Sequence, residues 1–312
     1  INASADVEVF AYGTTSGGLI GSATNNSVVR HSYATGDVTT DSWRAGGLAG
    51  VVENNSIVEG CFATGNISGT SRVSAGVMSG GLVGALRESS TISNGFATGN
   101  VTGDSSASSL VGSMVRSEVI NAFAIGRVTY TSTQTPAGLV GTVYRDGNEF
   151  ISYSHWATDT TGRTNMLNGS SATSVGNAGV TLAELRCPTA GSDTACSGSV
   201  LYSDWETETY DAGTSAPVPY WDFGDSNQLP GLLINGVVHR DSDGDGVLDA
   251  DDKYPFDASE STDTDGDGIA DNSDPDIDND GVANNDDAFP YDDSESSDRD
   301  GDGFGENRDA FP

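Results

Sequence analysis

Residues 241–252 read DSDGDGVLDADD, with carboxylates at positions 1, 3, 5, 9 and 12: Asp241, Asp243, Asp245, Asp249 and Asp252. Gly246 follows at position 6 and Val247 at position 7. In so short a loop alternate side chains point inward, the glycine permits a sharp turn, and the position-7 carbonyl adds an oxygen. This is the donor set of a hard cation such as calcium, which takes about six to eight oxygens. The pattern recurs as Asp263, Asp265, Asp267, Asp271 and Asp274 with Ile269 at position 7. It returns as Asp276, Asp278, Asp280, Asn284 and Asp287 with Val282, and as Asp298, Asp300, Asp302, Glu306 and Asp309 with Phe304. Asn284 and Glu306 depart from Asp at position 9 but remain oxygen donors. Four such loops imply four or more bound Ca²⁺.

The charge follows the loops. Residues 241–312 hold 23 Asp and 3 Glu against one Lys and two Arg, a net −23 out of −33 for the 312-residue chain. An acidic run of this kind is commonly a disordered tail. The regular spacing argues for metal sites, with the block expanded when metal-free and folded when loaded, so that binding energy becomes folding energy. Both parts of the chain repel phosphate, which excludes nucleic acid as a partner. No long helical pattern flanks the loops, so they are not paired EF-hands. They resemble thrombospondin type 3 repeats and related bacterial Asp-rich repeats. That resemblance implies a chain wrapped around a line of calcium ions with little apolar core.

The elements that carry these loops are repetitive. GGLIG (17–21), GGLAG (46–50), GGLVG (80–84), SLVG (109–112) and AGLVG (137–141) recur, followed by SYATGDV, CFATGNI, GFATGNV, AFAIGRV and a degraded YSHWATD. Between them stand apolar pairs such as Val28-Val29 and Ile57-Val58. Short β-branched or aromatic stretches separated by Gly, Asn, Ser and Thr read as strands. Three per repeat of about 30 residues make one rung of a β-solenoid, five rungs giving a rod on the order of 25 Å. A propeller is the competing all-β fold, but its blades need longer repeats. Residues 9–160 resemble the GLUG repeat of bacterial surface proteins, which implies an extracellular, structural or adhesive role without a catalytic centre.

The expected organisation is an all-β chain: a solenoid over 1–160, a capping segment over 161–240 and an irregular calcium array over 241–312. In the middle segment TLAELRC (181–187) is a short helix with a Thr181/Glu184 capping box. Trp205, Tyr220, Trp221 and Phe223 are expected to cover the end of the last rung, or else to form a sugar-binding platform. Cys187 and Cys196 are spaced for a small disulfide, which suits an oxidising compartment. Cys61 reads as a small buried hydrophobe. His31, His155 and His239 are scattered, His31 and His155 at expected turn or surface positions, and no catalytic motif is present. No apolar run approaches the roughly 20 residues of a membrane span. No signal peptide is visible, and the chain begins and ends inside repeats, as a segment of something longer would. These features predict a non-enzymatic, extracellular, calcium-binding structural protein. Its partners would be copies of itself in a fibre, the rest of a surface protein, or a glycan or host-surface ligand.

Overall fold

A computed structural model describes residues 3–309 except 12, 42, 70–75, 105, 131–135, 145–147, 169–171, 188–200, 206–207, 212, 214–215 and 226. The chain divides into two compact units, Ile1–Ala250 and Asp251–Pro312. The first is a parallel β-solenoid with a covering segment. In the second, no helix or strand is assigned among the described residues.

Each solenoid rung contributes to four parallel sheets, one more than the three strands expected from the apolar stretches. In the second rung the strands are Val38–Thr40, Arg44–Gly46, Ala49–Val52 and Ile57–Ala63. The third rung repeats them as Ile67–Gly69, Met78–Gly80, Val83–Arg87 and Thr91–Ala97. The Gly-rich core of the motif is split between the second and third sheets. The apolar pair and the aromatic stretch, by contrast, join into one long strand of the fourth sheet.

That long strand carries a bend that determines where its side chains go. Period-2 alternation would place Val58 and Phe62 on the same face. Gly60 between them is left-handed (φ +61), as are His31, Asn94, Asn121 and Tyr153 at the same place in other rungs. The chain therefore turns over. Val58, Ile92, Val119 and Ile151 join Leu48, Leu82, Leu110 and Leu139 in the solenoid interior. Phe62, Phe96 and Phe123 project into a separate cluster. In-register pairing of Phe62 with Tyr33 and Phe96, and of Phe96 with Phe123, stacks the four rings at centroid separations of 4.7, 4.7 and 5.1 Å. A third ladder, Val38, Ile67, Val101 and Val128, packs beneath Ala45 and Ala107.

The motif glycines serve close approach. A Cβ on Gly47 would strike the Gly81 carbonyl and come within 2.6 Å of the Ala63 Cβ. Gly47 has no left-handed φ, so the spacing of the rungs excludes a side chain there.

The aromatic ladder needs cover, and the segment after the last rung supplies it along the flank. Tyr202, Trp205, Tyr220, Trp221, Leu229, Leu232 and Ile234 are buried against the ladder. The Trp221 indole donates to Asn94 Oδ1 (3.0 Å), and the Trp205 indole donates to the Tyr153 carbonyl (2.8 Å). His239 packs on Tyr33 and Phe62, so the cover reaches back to the first rung. The aromatic residues expected over the end of the last rung thus lie along its flank, where the bent strands leave apolar surface, while Leu167–Asn168, Thr173–Val175 and Ala178–Val180 of the same segment pair with the last rung and extend the solenoid beyond the expected boundary at 160. The short helix forms at Leu182–Leu185 with a complete capping box between Thr181 and Glu184.

Cys61 is a free, fully buried thiol whose pKa burial pushes up to about 12. The expected Cys187–Cys196 bridge lies outside the described residues, because Cys196 does. Among the described residues no helix is long and apolar enough to cross a membrane.

His155 is not at a surface position. It occupies the place of Phe123 in the next rung, is 1% exposed, and contacts the Leu201 carbonyl through Nε2 (3.0 Å). Burial lowers its pKa from 6.5 to about 4. The fold therefore holds the ring neutral while the unfolded chain takes up a proton below pH 6.5, so stability is lost as pH falls from 6.5 toward 4. In His155→Phe this loss should disappear. The difference in unfolding free energy between variant and wild type should shift by up to about 3 kcal/mol across that window, as thermal melts at stepped pH would show.

Candidate metal centre

The four Asp loops wind by shared local rules. The position-1 carboxylate accepts backbone N–H bonds from the glycines ahead of it. Asp263 takes Gly266 (2.9 Å) and Gly268 (3.3 Å), and Asp298 takes Gly301 (2.7 Å) and Gly303 (3.0 Å). Asp241 takes Gly244, and Asp276 takes Gly281. The position-5 carboxylates Asp245, Asp267, Asp280 and Asp302 accept from the amides of Val247, Ile269, Val282 and Phe304 at 2.7–3.0 Å. Positions 4 and 6 are both left-handed, from Gly244 (φ +84) and Gly246 (φ +104) to Gly301 and Gly303. The exception to glycine is Asn279 at position 4 of the third loop (φ +57), a residue type that tolerates this conformation.

This winding brings three carboxylates together in every loop. One oxygen from each of Asp241, Asp243 and Asp245 lies within 4.8 Å of the others. The same holds for Asp263, Asp265 and Asp267, for Asp276, Asp278 and Asp280, and for Asp298, Asp300 and Asp302. At 4.8 Å two unit charges repel by about 1 kcal/mol in water and about 3.5 kcal/mol at an effective dielectric of 20. The backbone donors satisfy only part of each group. Asp265 Oδ2, Asp276 Oδ1 and Asp278 Oδ2 are enclosed and receive no hydrogen bond. At the first loop Arg186 is close enough to interact with Asp241 and Asp243. Clustered anionic oxygens with enclosed, unbonded positions fit a hard divalent cation.

Positions 9 and 12 act differently. Both oxygens of Asp249 are taken by Ser242, through its amide and its hydroxyl at 2.7 Å each; Asp271 takes Thr264 in the same way. Asn284 Oδ1 accepts from Ile277 N, and Glu306 faces Arg299. Position 9 therefore braces position 2. The position-12 residues Asp252, Asp274 and Asp287 each accept one amide from the residue two ahead. Asp252 Oδ2 and Asp287 Oδ2 are left enclosed without a donor. Asp252 belongs to the second unit.

A larger period links the loops. Asp241 and Asp276 begin loops 35 residues apart, as do Asp263 and Asp298. The hydrogen bonds repeat at the same offset: Asn272 Nδ2 donates to Ser259 O, and Asn307 Nδ2 to Ser294 O. Each repeat thus carries two loops and one Asp-x-Ser-Glu-Ser turn, a signal visible in the sequence once the copies are aligned at that spacing.

The first loop is built into the solenoid unit. Thr64 and Thr98, from the Ala-Thr-Gly turns of successive rungs, donate to the Gly246 carbonyl (2.9 Å) and to Asp241 Oδ2 (2.5 Å). Arg186 donates twice to the Ser242 carbonyl (2.8 and 2.6 Å). Arg240 ties the strand before the loop to Leu229 O and Asp222. Asp241 is 1% exposed, and its burial pushes the carboxyl up to about 7 against the hydrogen bonds from Thr98 and Gly244. The spacing of the acids gave no sign of this docking, since the two threonines lie 182 and 143 residues away.

Among known families, the GLUG motif matches at residues 12–39 and 41–68. The later copies stand in register with these, Leu86 on Val52 and Phe96 on Phe62. Neither the curated proteins nor the solved structures contain a match to the chain.

All four tryptophans lie in the first unit, so their fluorescence reports on it alone. Asp243→Asn should remove one bound Ca²⁺ and lower the calcium-loaded unfolding midpoint read by tryptophan. Asp300→Asn should also remove one ion while leaving that midpoint unchanged. Equilibrium dialysis and fluorescence melts of the two variants check both statements.

Proposed function

We propose that this chain is a calcium-dependent structural segment of an extracellular protein, either the stalk of a cell-surface adhesin or the subunit of an extracellular filament. The observation that carries the reading is the set of four aspartate triplets, whose carboxylate oxygens cluster within 4.8 Å of one another and call for a counter-charge. Calcium at each triplet supplies that charge. The second unit has little else to hold it, since Ala270 and Ile277 are its only buried apolar residues among those described. Extracellular calcium, at affinities on the order of 10⁻⁴–10⁻³ M, then sets whether the unit is folded.

The solenoid supports a scaffolding role. Its interior consists of in-register apolar ladders, and the histidines lie within aromatic packing: His31 on Tyr210, His155 on Tyr202 and Trp205, and His239 on Tyr33 and Phe62. That placement supports a scaffolding role over a catalytic one. The GLUG motifs add weight to a surface location.

Electron microscopy and small-angle scattering, with calcium and with EDTA, test the reading. Calcium at millimolar concentration should compact the protein by several ångströms in radius of gyration, and a filament subunit should also assemble into fibres. A radius unchanged between EDTA and millimolar calcium would overturn the calcium-dependent fold. A monomer at all calcium levels would overturn the filament and leave the stalk.

A further inference from the structure

The solenoid presents a cationic and aromatic surface that the calcium loops do not explain. Arg44 starts a strand of the second sheet, and Arg87 ends a strand of the third. Strand register places the two together. Ala85 pairs with Ser113, whose hydroxyl meets the Met78 sulfur of the second sheet, and Met78 pairs with Arg44. Ala85 and Arg87 project from the same face of their strand, opposite to the interior residue Leu86. Arg44 is half-buried, and its guanidinium pKa is lowered, first by burial and then by the like charge of Arg87.

In a chain of net charge −33, most cations have found an anion or a carbonyl. Arg30 pairs with Glu59, Arg116 with Glu88, Arg240 with Asp222 and Arg308 with Asp292. Arg44 Nε is enclosed without an acceptor, and neither the Arg44 nor the Arg87 side chain has a hydrogen bond or ion pair among the described residues. Glu53 follows Val52, the register partner of Leu86, and is near enough to raise the Arg44 pKa, yet it pairs with neither arginine. Two large rings on this part of the solenoid stay in solvent, and one of them, Tyr144, is near enough to Arg44 to raise its pKa. Trp43 precedes Arg44 and is 51% exposed; Tyr144, two rungs from Arg87, is 48% exposed. Trp156, Trp205 and Trp221 are all buried.

We propose that Trp43, Arg44, Arg87 and Tyr144 form a binding site for an acidic polysaccharide bearing uronate carboxylates. A guanidinium offers a planar pair of donors matched to a carboxylate. An exposed aromatic ring offers an apolar face with a polar edge, suited to a sugar ring. Two arginines without acceptors lose no internal pairing when a ligand arrives, and the ligand relieves their mutual repulsion.

The test uses the full chain at fixed millimolar calcium, with oligogalacturonate as the probe and a neutral dextran oligomer as control. Calorimetry should show binding of the uronate and none of the dextran. The double variant R44Q/R87Q should bind at least tenfold more weakly while keeping the wild-type fluorescence melt. Iodide quenching of tryptophan should fall when the uronate binds, and Trp43→Phe should abolish that protection. The proposal is overturned by equal binding of dextran, by no binding to the wild type, or by undiminished binding in R44Q/R87Q. The last result would place the uronate on the calcium loops, bridged by the ion.

Discussion

The solenoid depends on one distance, the roughly 4.8 Å between hydrogen-bonded parallel strands. At that separation every residue faces its counterpart in the next rung, so only positions that tolerate their own kind can recur. Rings stack face to face, as Tyr33, Phe62, Phe96 and Phe123 do. Where backbones of successive rungs meet, as at Gly47 and Gly81, nothing larger than hydrogen fits. Polar side chains form ladders as well. Asp37 Oδ1 accepts from the Asn66 amide, Asn66 Oδ1 from the Asn100 amide, and Asn100 Oδ1 from that of Arg127.

The same constraint decides what lies outside the rod. A left-handed residue at one place in each rung sends the aromatic column out of the interior. That column demands an apolar cover, and the covering segment ends at Arg240, at the threshold of the first Asp loop. The threonines that receive this loop are themselves a column of the repeat. The first aspartate cluster and the repeat packing therefore meet in one place within the first unit.

The parts of this that the sequence displays are the ones carried by strong local chemistry. Recurrent Gly-Leu and Phe-Ala-Thr-Gly segments announce stacked strands, and the spacing of the aspartates announces loops whose carboxylates converge. The second sheet was hidden because its strands are three residues long and as polar as Arg44-Ala45-Gly46. The outward turn of the aromatic column was hidden because His31, Gly60 and Asn94 share a backbone conformation but no side-chain character. Within the loops, spacing alone groups Asp249 with Asp241. Both Asp249 oxygens instead go to Ser242, and the carboxylates that cluster are Asp241, Asp243 and Asp245. The flank cover was read as an end cap because its aromatic content states what it buries and not where.

The contact from Thr64 and Thr98 to the first Asp loop also has a mechanical meaning. It joins residues 182 and 143 positions apart, so a pull applied at Ala250 would enter the solenoid through the second and third rungs. Without it, the same tension would peel the covering segment away from its C-terminal end, one contact at a time. With it, the contacts share the strain, and whatever tightens the cluster of Asp241, Asp243 and Asp245 raises the force needed to open the cover.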